Sequence, residues 1–364
     1  MNLNLLVNIA DNLEKFFINS PLVFLKAIRI EDVIFDERAK YMCKYGCKNF
    51  NRKYSCPPYS ISQYKRIIES DFQWVLLFAT SYKIDEDYSR YKMRFLNRQK
   101  EYEIQRISNQ ICNLLSFNGY KNLVFSGGSC KRCRPCSCVE GIECKKPLLK
   151  QISMEAIQID CIKTLTYAGF DFQLTDSHTL NRCGCVFTND ENLSGIYLKK
   201  IDSFQKFNQA SLNELNDGFN LLVKINPKIY ENFKIIPIKS LKVGDPLCEK
   251  KCKNYGKNYS CPPYSKQMKL KLWNYAIIWK WKENKYKKYN YNQALKNIHK
   301  MAYSLGHYFS ISIRDCYCNE CSLCLFSDSN NHFCENRKIL SPSMQSQGID
   351  PSKFGKGKYG IELI

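Results

Sequence analysis

One cysteine signature occurs twice in this chain, and that repetition constrains the fold more than any other feature. The first copy is Cys43, Cys47 and Cys56, the last inside Tyr54-Ser-Cys-Pro-Pro-Tyr-Ser60. The second is Cys248, Cys252 and Cys261, inside Tyr259-Ser-Cys-Pro-Pro-Tyr-Ser265. Both read C-x3-C-x8-C. Each copy then adds a ferredoxin-like run, Cys130, Cys133 and Cys136 with Cys144, and Cys318, Cys321 and Cys324 with Cys334. Fourteen of the 20 cysteines fall into this doubled pattern. Cysteines repeated at fixed spacing, in register with the rest of a repeat, read as metal ligands.

The surroundings of the cysteines favour metal over disulfides. No stretch approaches the roughly 20 apolar residues of a membrane helix, and Asp11, Glu14 and Lys15 interrupt the apolar start before a signal-peptide core forms. A cytoplasmic protein is expected, without a membrane anchor. Disulfides are rare in that reducing compartment, so a cysteine-rich chain there is more often metal-binding or catalytic. With 4 histidines in 364 residues, thiolate ligation must dominate.

The repeat extends beyond the cysteines. Ser153-Met154 follows Cys144 at the same distance as Ser343-Met344 follows Cys334, and both reach an Ile-Asp pair, Ile159-Asp160 and Ile349-Asp350. The division expected is an N-terminal segment 1–21, a metal-binding repeat over 22–185, a linker over 186–229 and a second metal-binding repeat over 230–364. In each repeat a strand (Phe24 to Ile30, or Phe233 to Ile238) precedes the first cysteines. A short helix (Ile61 to Glu69, or Lys266 to Leu272) and a strand (Phe72 to Ala79, or Tyr275 to Trp281) follow the Cys-Pro-Pro turn. Ile104, Ile107, Ile111 and Leu115 fall at three- and four-residue steps, which predicts an amphipathic helix over 98–117; its counterpart is 292–305. Asn118-Gly119 and Gly306 end these helices. A second strand (Asn122 to Phe125, or Tyr308 to Ile313) leads to the second cysteine run, and Ser153 or Ser343 caps a closing helix. The expected class is α/β or α+β: two tandem repeats, each a small mixed sheet with flanking helices and cysteine-bearing metal loops.

Two-residue spacing lets successive thiolates bend around one cubane, with the fourth arriving from a later loop. Zinc sites more often pair two separate C-x2-C knuckles. The second motif therefore points to [4Fe–4S] clusters, with zinc as the alternative. The first motif is not the radical S-adenosylmethionine signature, whose third cysteine comes after two residues. Its three thiolates leave one metal position for substrate or water, or for a fourth protein ligand, for which Cys138 and Cys316 are candidates. Proline after Cys56 and Cys261 holds each sulfur on a rigid, extended backbone. Cys112 and Cys161 read as small buried apolar residues, and Cys183-Gly-Cys185 as a redox pair or extra ligand pair. No Gly-rich nucleotide loop or acid–base dyad is present, so no catalytic residue is assigned.

The formal charge of +21 implies an acidic partner. An acidic ferredoxin or flavodoxin is one candidate and nucleic acid another. Trp279-Lys-Trp-Lys-Glu-Asn-Lys-Tyr-Lys-Lys-Tyr-Asn-Tyr291 interleaves cations with flat rings, as single-strand binders do, but the alternation at Trp279 and Trp281 also suits a half-buried strand.

Both repeats resemble domain of unknown function 2284, a family of predicted metal-binding proteins. The motifs that carry the likeness are the Cys-x3-Cys cluster ending in Cys-Pro-Pro-Tyr, the C-x2-C-x2-C run, and a Pro-Ser-Met-Glu-Ala-x-Gly-Ile-Asp segment. It covers most of residues 25–170 and 233–352. Repeat one reads Ile152-Ser-Met-Glu-Ala-Ile-Gln-Ile-Asp160, without the proline and glycine; repeat two reads Pro342-Ser-Met-Gln-Ser-Gln-Gly-Ile-Asp350, without the Glu-Ala pair. The resemblance implies iron–sulfur binding but supplies no reaction. Electron transfer or cluster-dependent redox or substrate activation is expected, by an oxidoreductase or sulfur-transfer enzyme if the chain is an enzyme. The alternatives are a zinc-stabilised nucleic-acid-binding protein and a metal or sulfur carrier or assembly scaffold.

Overall fold

The computed structural model describes residues 9–59, 63–84, 90–170, 179–200, 209–226, 229–248, 255, 260–262, 264–282, 289–315, 341–356 and 358–364. The chain divides into two compact units. Unit 1 comprises Met1–Lys40 and Asn49–Phe207, and unit 2 comprises Tyr41–Lys48 and Asn208–Ile364. Each has its own sheet, so the class is α+β.

In unit 1, α1 (Ile9–Ile18) leads to β1 (Phe24–Arg29) and α2 (Arg38–Gly46), whose residues from Tyr41 onward belong to unit 2. Then come α3 (Gln63–Asp71), β2 (Trp74–Lys83), α4 (Arg90–Phe117), β3 (Asn122–Ser126), β4 (Ile152–Ser153), α5 (Cys161–Tyr167), β5 (Thr179–Thr188) and β6 (Tyr197–Lys199). The six strands lie in the order β4-β3-β5-β2-β1-β6, antiparallel except for the β3–β4 pair. Period-two alternation along β2 divides the core. Val75, Leu77 and Ala79 join Ile68 of α3 and Leu165 of α5 on one face. Leu76 and Phe78 meet α1 and the Ile104, Ile107, Ile111, Leu115 stripe of α4 on the other. Gly119, at φ +83°, ends that helix as expected.

In unit 2, α6 (Leu212–Ile225) opens on a Ser211–Glu214 capping box. It is followed by β7 (Tyr230–Pro237), β8 (Tyr275–Trp281), α7 (Tyr289–Ser304), β9 (Ile311–Arg314) and β10 (Lys358–Leu363), in the antiparallel order β7-β8-β10-β9. Ala276 and Ile278 face one core, and Ile277, Trp279 and Trp281 face the other, under α6 and α7. Trp279 is fully buried and packs on Tyr291 at 5.5 Å between ring centroids, so the tryptophans of the basic-aromatic segment belong to the core.

Several elements differ from the sequence reading. The α4 helix starts eight residues earlier than its apolar stripe suggests. After Ser153 the chain makes a 3₁₀ turn (Met154–Ile157) before α5, with Ser153 capping Ala156 N as expected. Lys266 to Leu272 contains only a 3₁₀ turn, Leu270–Leu272. The strands β5 and β10 went unread, because Asn181-Arg182 and Gly184, and Gly360 and Glu362, interrupt their apolar runs. Both glycines are cross-strand partners of a large ring: Gly184 faces Phe78 and Gly360 faces Trp279. A Cβ on Gly184 would stand 2.6 Å from the Phe78 ring, so the side chain is missing where the ring needs the space. Among the described residues, no helix is long and apolar enough to cross a membrane.

Candidate metal centre

Cys130, Cys133, Cys136 and Cys144 line one pocket of unit 1, together with Tyr54, Ser55, Arg132, Lys146 and Lys150. The run leaves β3 through Gly127-Gly128, and buried side chains hold the loop in place. Gln105 of α4 donates to Ser129 O at 3.0 Å and accepts from Lys131 N at 3.0 Å. Gln151 donates to Gln105 O at 2.9 Å, and Arg132 donates to the same carbonyl at 3.2 Å. Gln105 and Gln151 are at most 1% exposed, so these bonds form away from competing water. Past Cys136, a 3₁₀ turn (Ser137–Glu140) ends at Gly141 with φ +70°, and Ser137 Oγ donates to Glu143 O at 2.7 Å just before Cys144.

The Cys-Pro-Pro-Tyr turn of the first motif meets this loop. Cys130 N donates to Ser55 Oγ at 3.2 Å, Lys53 Nζ donates to Cys130 O, and Tyr54 Oη donates to Ile142 O at 2.7 Å. Tyr59 N donates to Cys56 O at 3.0 Å, and in the second copy Tyr264 N donates to Cys261 O at 3.1 Å, so both copies form the same cysteine-to-tyrosine backbone hydrogen bond. Cys56 and Cys261 are both buried. Cys138 is buried as well, and the Tyr59 hydroxyl hydrogen-bonds to its thiol, which burial pushes up. The second-motif loop therefore carries a fifth buried thiol, Cys138, and the turn of Cys56 packs beside it.

The charged side chains that line the pocket are all cations, Arg132, Lys146 and Lys150. Burial holds the Lys53 ammonium below its usual range, as does Lys131, against the pull of Cys56, Cys130 and Cys136. Burial and the thiols of Cys138, Cys136 and Cys144 raise the Tyr54 phenol. Lys53, Arg132, Lys146 and Lys150 are the cations facing a set of thiols that a metal would require as thiolates.

The first motif divides between the units. Cys43 lies on the part of α2 that belongs to unit 2 and Cys47 directly follows that helix in the same unit, where Tyr45 Oη is 3.4 Å from Ser265 Oγ and Tyr41 packs on Trp273 at 5.6 Å. Cys248 and Cys261 also belong to unit 2. Cys252, Cys316, Cys318, Cys321, Cys324 and Cys334 lie outside the described residues, as do His178 and His332. No described cysteine is in a disulfide. Among the described residues, no three His, Cys, Asp or Glu side chains converge on a single ion-sized point.

Other residues around the pocket escaped the sequence reading. Glu155 accepts from Gly128 N at 3.3 Å, and burial pushes its carboxyl up. Its only signal was its place in the Ser-Met-Glu segment. Lys53, Ser55 and Gln105 had none, since their role depends on which loop they meet. Cys183 and Cys185 alternate on one face of β5 in the core with Cys161 beside them. Cys112 is half-buried and its thiol donates to Asn122 Oδ1 at 2.6 Å.

Nothing among curated proteins or solved structures matches this chain. The DUF2284 family, described as a predicted metal-binding protein, matches residues 26–188 and again 234–362. The chain belongs to this family, as a tandem copy of its domain.

Proposed function

We propose that the chain is an iron–sulfur protein whose second motifs, Cys130, Cys133, Cys136 and Cys144 and then Cys318, Cys321, Cys324 and Cys334, each hold a [4Fe–4S] cluster. The observation that carries this is the pocket of unit 1, where four cysteines from one loop share a wall with three cations, Arg132, Lys146 and Lys150. A donor set of four thiols suits iron–sulfur or zinc chemistry. The C-x2-C-x2-C spacing with a remote fourth cysteine favours a polyatomic cluster over one ion. Such a cluster would supply one-electron transfer or a Lewis-acidic iron.

The chain's own residues would do the rest. Ser55 and the Gln105–Gln151 pair hold the loop that carries Cys130 and Cys133. Lys53, Arg132, Lys146 and Lys150 offset the negative charge of four thiolates, and bias the pocket toward an anionic substrate or an acidic redox partner. Cys138, buried within the loop, and Cys56, buried in the turn beside it, stand ready as further ligands. The first-motif cysteines, Cys43 and Cys47 with Cys248, Cys252 and Cys261, are proposed to hold a second metal or cluster.

Metal and acid-labile sulfide analysis of protein purified without oxygen tests the reading. We expect brown protein with about eight or more iron and matching sulfide, and loss of about half of both in Cys133→Ser. Colourless protein carrying stoichiometric zinc would sink the iron–sulfur reading and favour the zinc alternative.

A further inference from the structure

The N-terminal half of α4 carries a feature that thiol chemistry does not use. Tyr91 is 79% exposed, Phe95 57% and Tyr102 47%. They stand at i, i+4 and i+11; Arg94 and Arg98 fall between them and Arg106 one turn past Tyr102, on the same helix face. At 3.6 residues per turn all six fall within an arc of about 120°, over about 22 Å of helix. That arc is opposite the Ile104, Ile107, Ile111 stripe which packs on the sheet. Single exposed aromatics need no explanation, but an aligned row of them does.

Among the described residues, no carboxylate forms an ion pair with the arginines of this face. The acidic residues of this half of the helix, Glu101 and Glu103, are each paired with a lysine, Lys131 at 2.6 Å and Lys100 at 2.8 Å. Neither lies between the arginines and rings. The choice of arginine is itself informative, because the chain is rich in lysine. Of its 13 arginines, Arg94, Arg98 and Arg106 are on this face, and Arg132 and Arg134 are in the adjoining cysteine loop. Arginine differs from lysine in stacking on flat rings and in binding phosphate through two parallel bonds. At the end of the row, the Arg132 guanidinium lies 5.3 Å over the Tyr102 ring, and Arg132 also lines the thiol pocket.

We propose that this face of α4 binds single-stranded nucleic acid, with bases stacking on Tyr91, Phe95 and Tyr102 and phosphates neutralised by Arg94, Arg98 and Arg106. Flat rings with cations between them match a strand with unpaired bases, since every base offers a π-face and every nucleotide a charge. An acidic protein would complement the arginines but has no use for three exposed rings in a row. The strand lies outside the thiol pocket and reaches it at Arg132. The Trp279–Tyr291 segment is a poorer candidate, because its tryptophans are buried.

Fluorescence anisotropy of the full chain with a fluorescein-labelled 20-nucleotide uridine oligomer, from 50 to 200 mM salt, tests the proposal. Binding to the single strand is expected to exceed binding to a duplex of equal length. Tyr91→Ala and Phe95→Ala are each expected to weaken it roughly 5- to 150-fold, while Phe95→Trp retains it. Replacing Arg94, Arg98 and Arg106 by Gln should flatten the log–log salt slope by about 2. Circular dichroism and metal content serve as the check that each variant is folded. No binding by the parent chain at 50 mM salt overturns the proposal. So does affinity that survives the alanine variants and falls only with the arginines, the behaviour of a site for an acidic protein.

Discussion

Where each sheet meets its long helix, the two units have filled corresponding positions with opposite chemistry. The pairs Phe78–Gly184 and Trp279–Gly360 align the two sheets. Two residues beyond each glycine, unit 1 has Val186 paired with Val124, and unit 2 has Glu362 paired with Ser312. Val186 lies in an apolar cluster with Ile107 and Ile111. Glu362, equally buried, accepts from Ser312 Oγ and is 2.9 Å from His299 Nδ1, which Ser310 Oγ also approaches at 3.1 Å. One backbone thus serves either an oily contact or a buried carboxylate, provided the carboxylate's hydrogen bonds are supplied by the helix and the neighbouring strand.

A second contrast lies in the turn after the Ser-Met pair. Gln158 in unit 1 and Gly348 in unit 2 both adopt left-handed backbone, at φ +71° and +74°. Gln158 tolerates it. Gly348 cannot be anything else, because a Cβ there would overlap the carbonyl oxygen of Gly244, whose amide donates to Gly348 O at 2.9 Å.

These contrasts can be broken, and the largest effect is expected at Gly348. Gly348→Ala adds a backbone clash to an unfavourable φ and should cost about 4 kcal/mol or more; a denaturation midpoint unchanged by the substitution would show that the turn gives way. His299→Ala should cost about 2 kcal/mol, the loss of one partner of a buried pair discounted because the imidazole is 38% exposed. The joint replacement His299→Leu with Glu362→Val, which imitates the oily interface of unit 1, should recover most of that loss in the same denaturation series. The pair also predicts a pH dependence. Burial lowers the His299 pKa, but Glu362's hydrogen bond and charge outweigh it, so the imidazole sits above its ordinary range. Its contribution is complete below about pH 6.5 and is lost as pH rises through the raised value. Unit 2 should therefore melt at a lower temperature at pH 8 than at pH 6, and His299→Gln should remove that part of the difference. The smallest effect is expected at Gln158→Gly, which relieves the left-handed strain and should stabilise by about 1 kcal/mol or less; destabilisation would mean that the Gln158 side chain holds the turn.

Local period made much of this architecture legible beforehand. The isoleucine stripe of α4, the glycine caps and the Ser153 cap are each decided within a few residues, and the structure has them. The strands β5 and β10 were illegible because their glycines and polar residues make sense only opposite a ring on another strand. At the candidate centre the cysteines of the second motif were readable by spacing. Lys53, Ser55 and Gln105 were not, since nothing near them in sequence says which loop they will touch. The Trp279–Tyr291 segment reads both as a nucleic-acid patch and as a half-buried strand, because alternation is shared by both and only burial separates them.

By itself, the sequence determined that this is a tandem member of a predicted metal-binding family, with doubled cysteine motifs and α+β repeats. Those properties follow from spacing and composition, which act over short stretches of chain. Tertiary structure alone decided that the Cys56 turn meets the Cys130 loop, that Cys43 and Cys47 fall in the other unit, and that Glu362 is buried while Tyr91, Phe95 and Tyr102 are exposed. Those outcomes depend on how helices lie across sheets, where residues distant in sequence compete for the same space and for the same water-free hydrogen bonds.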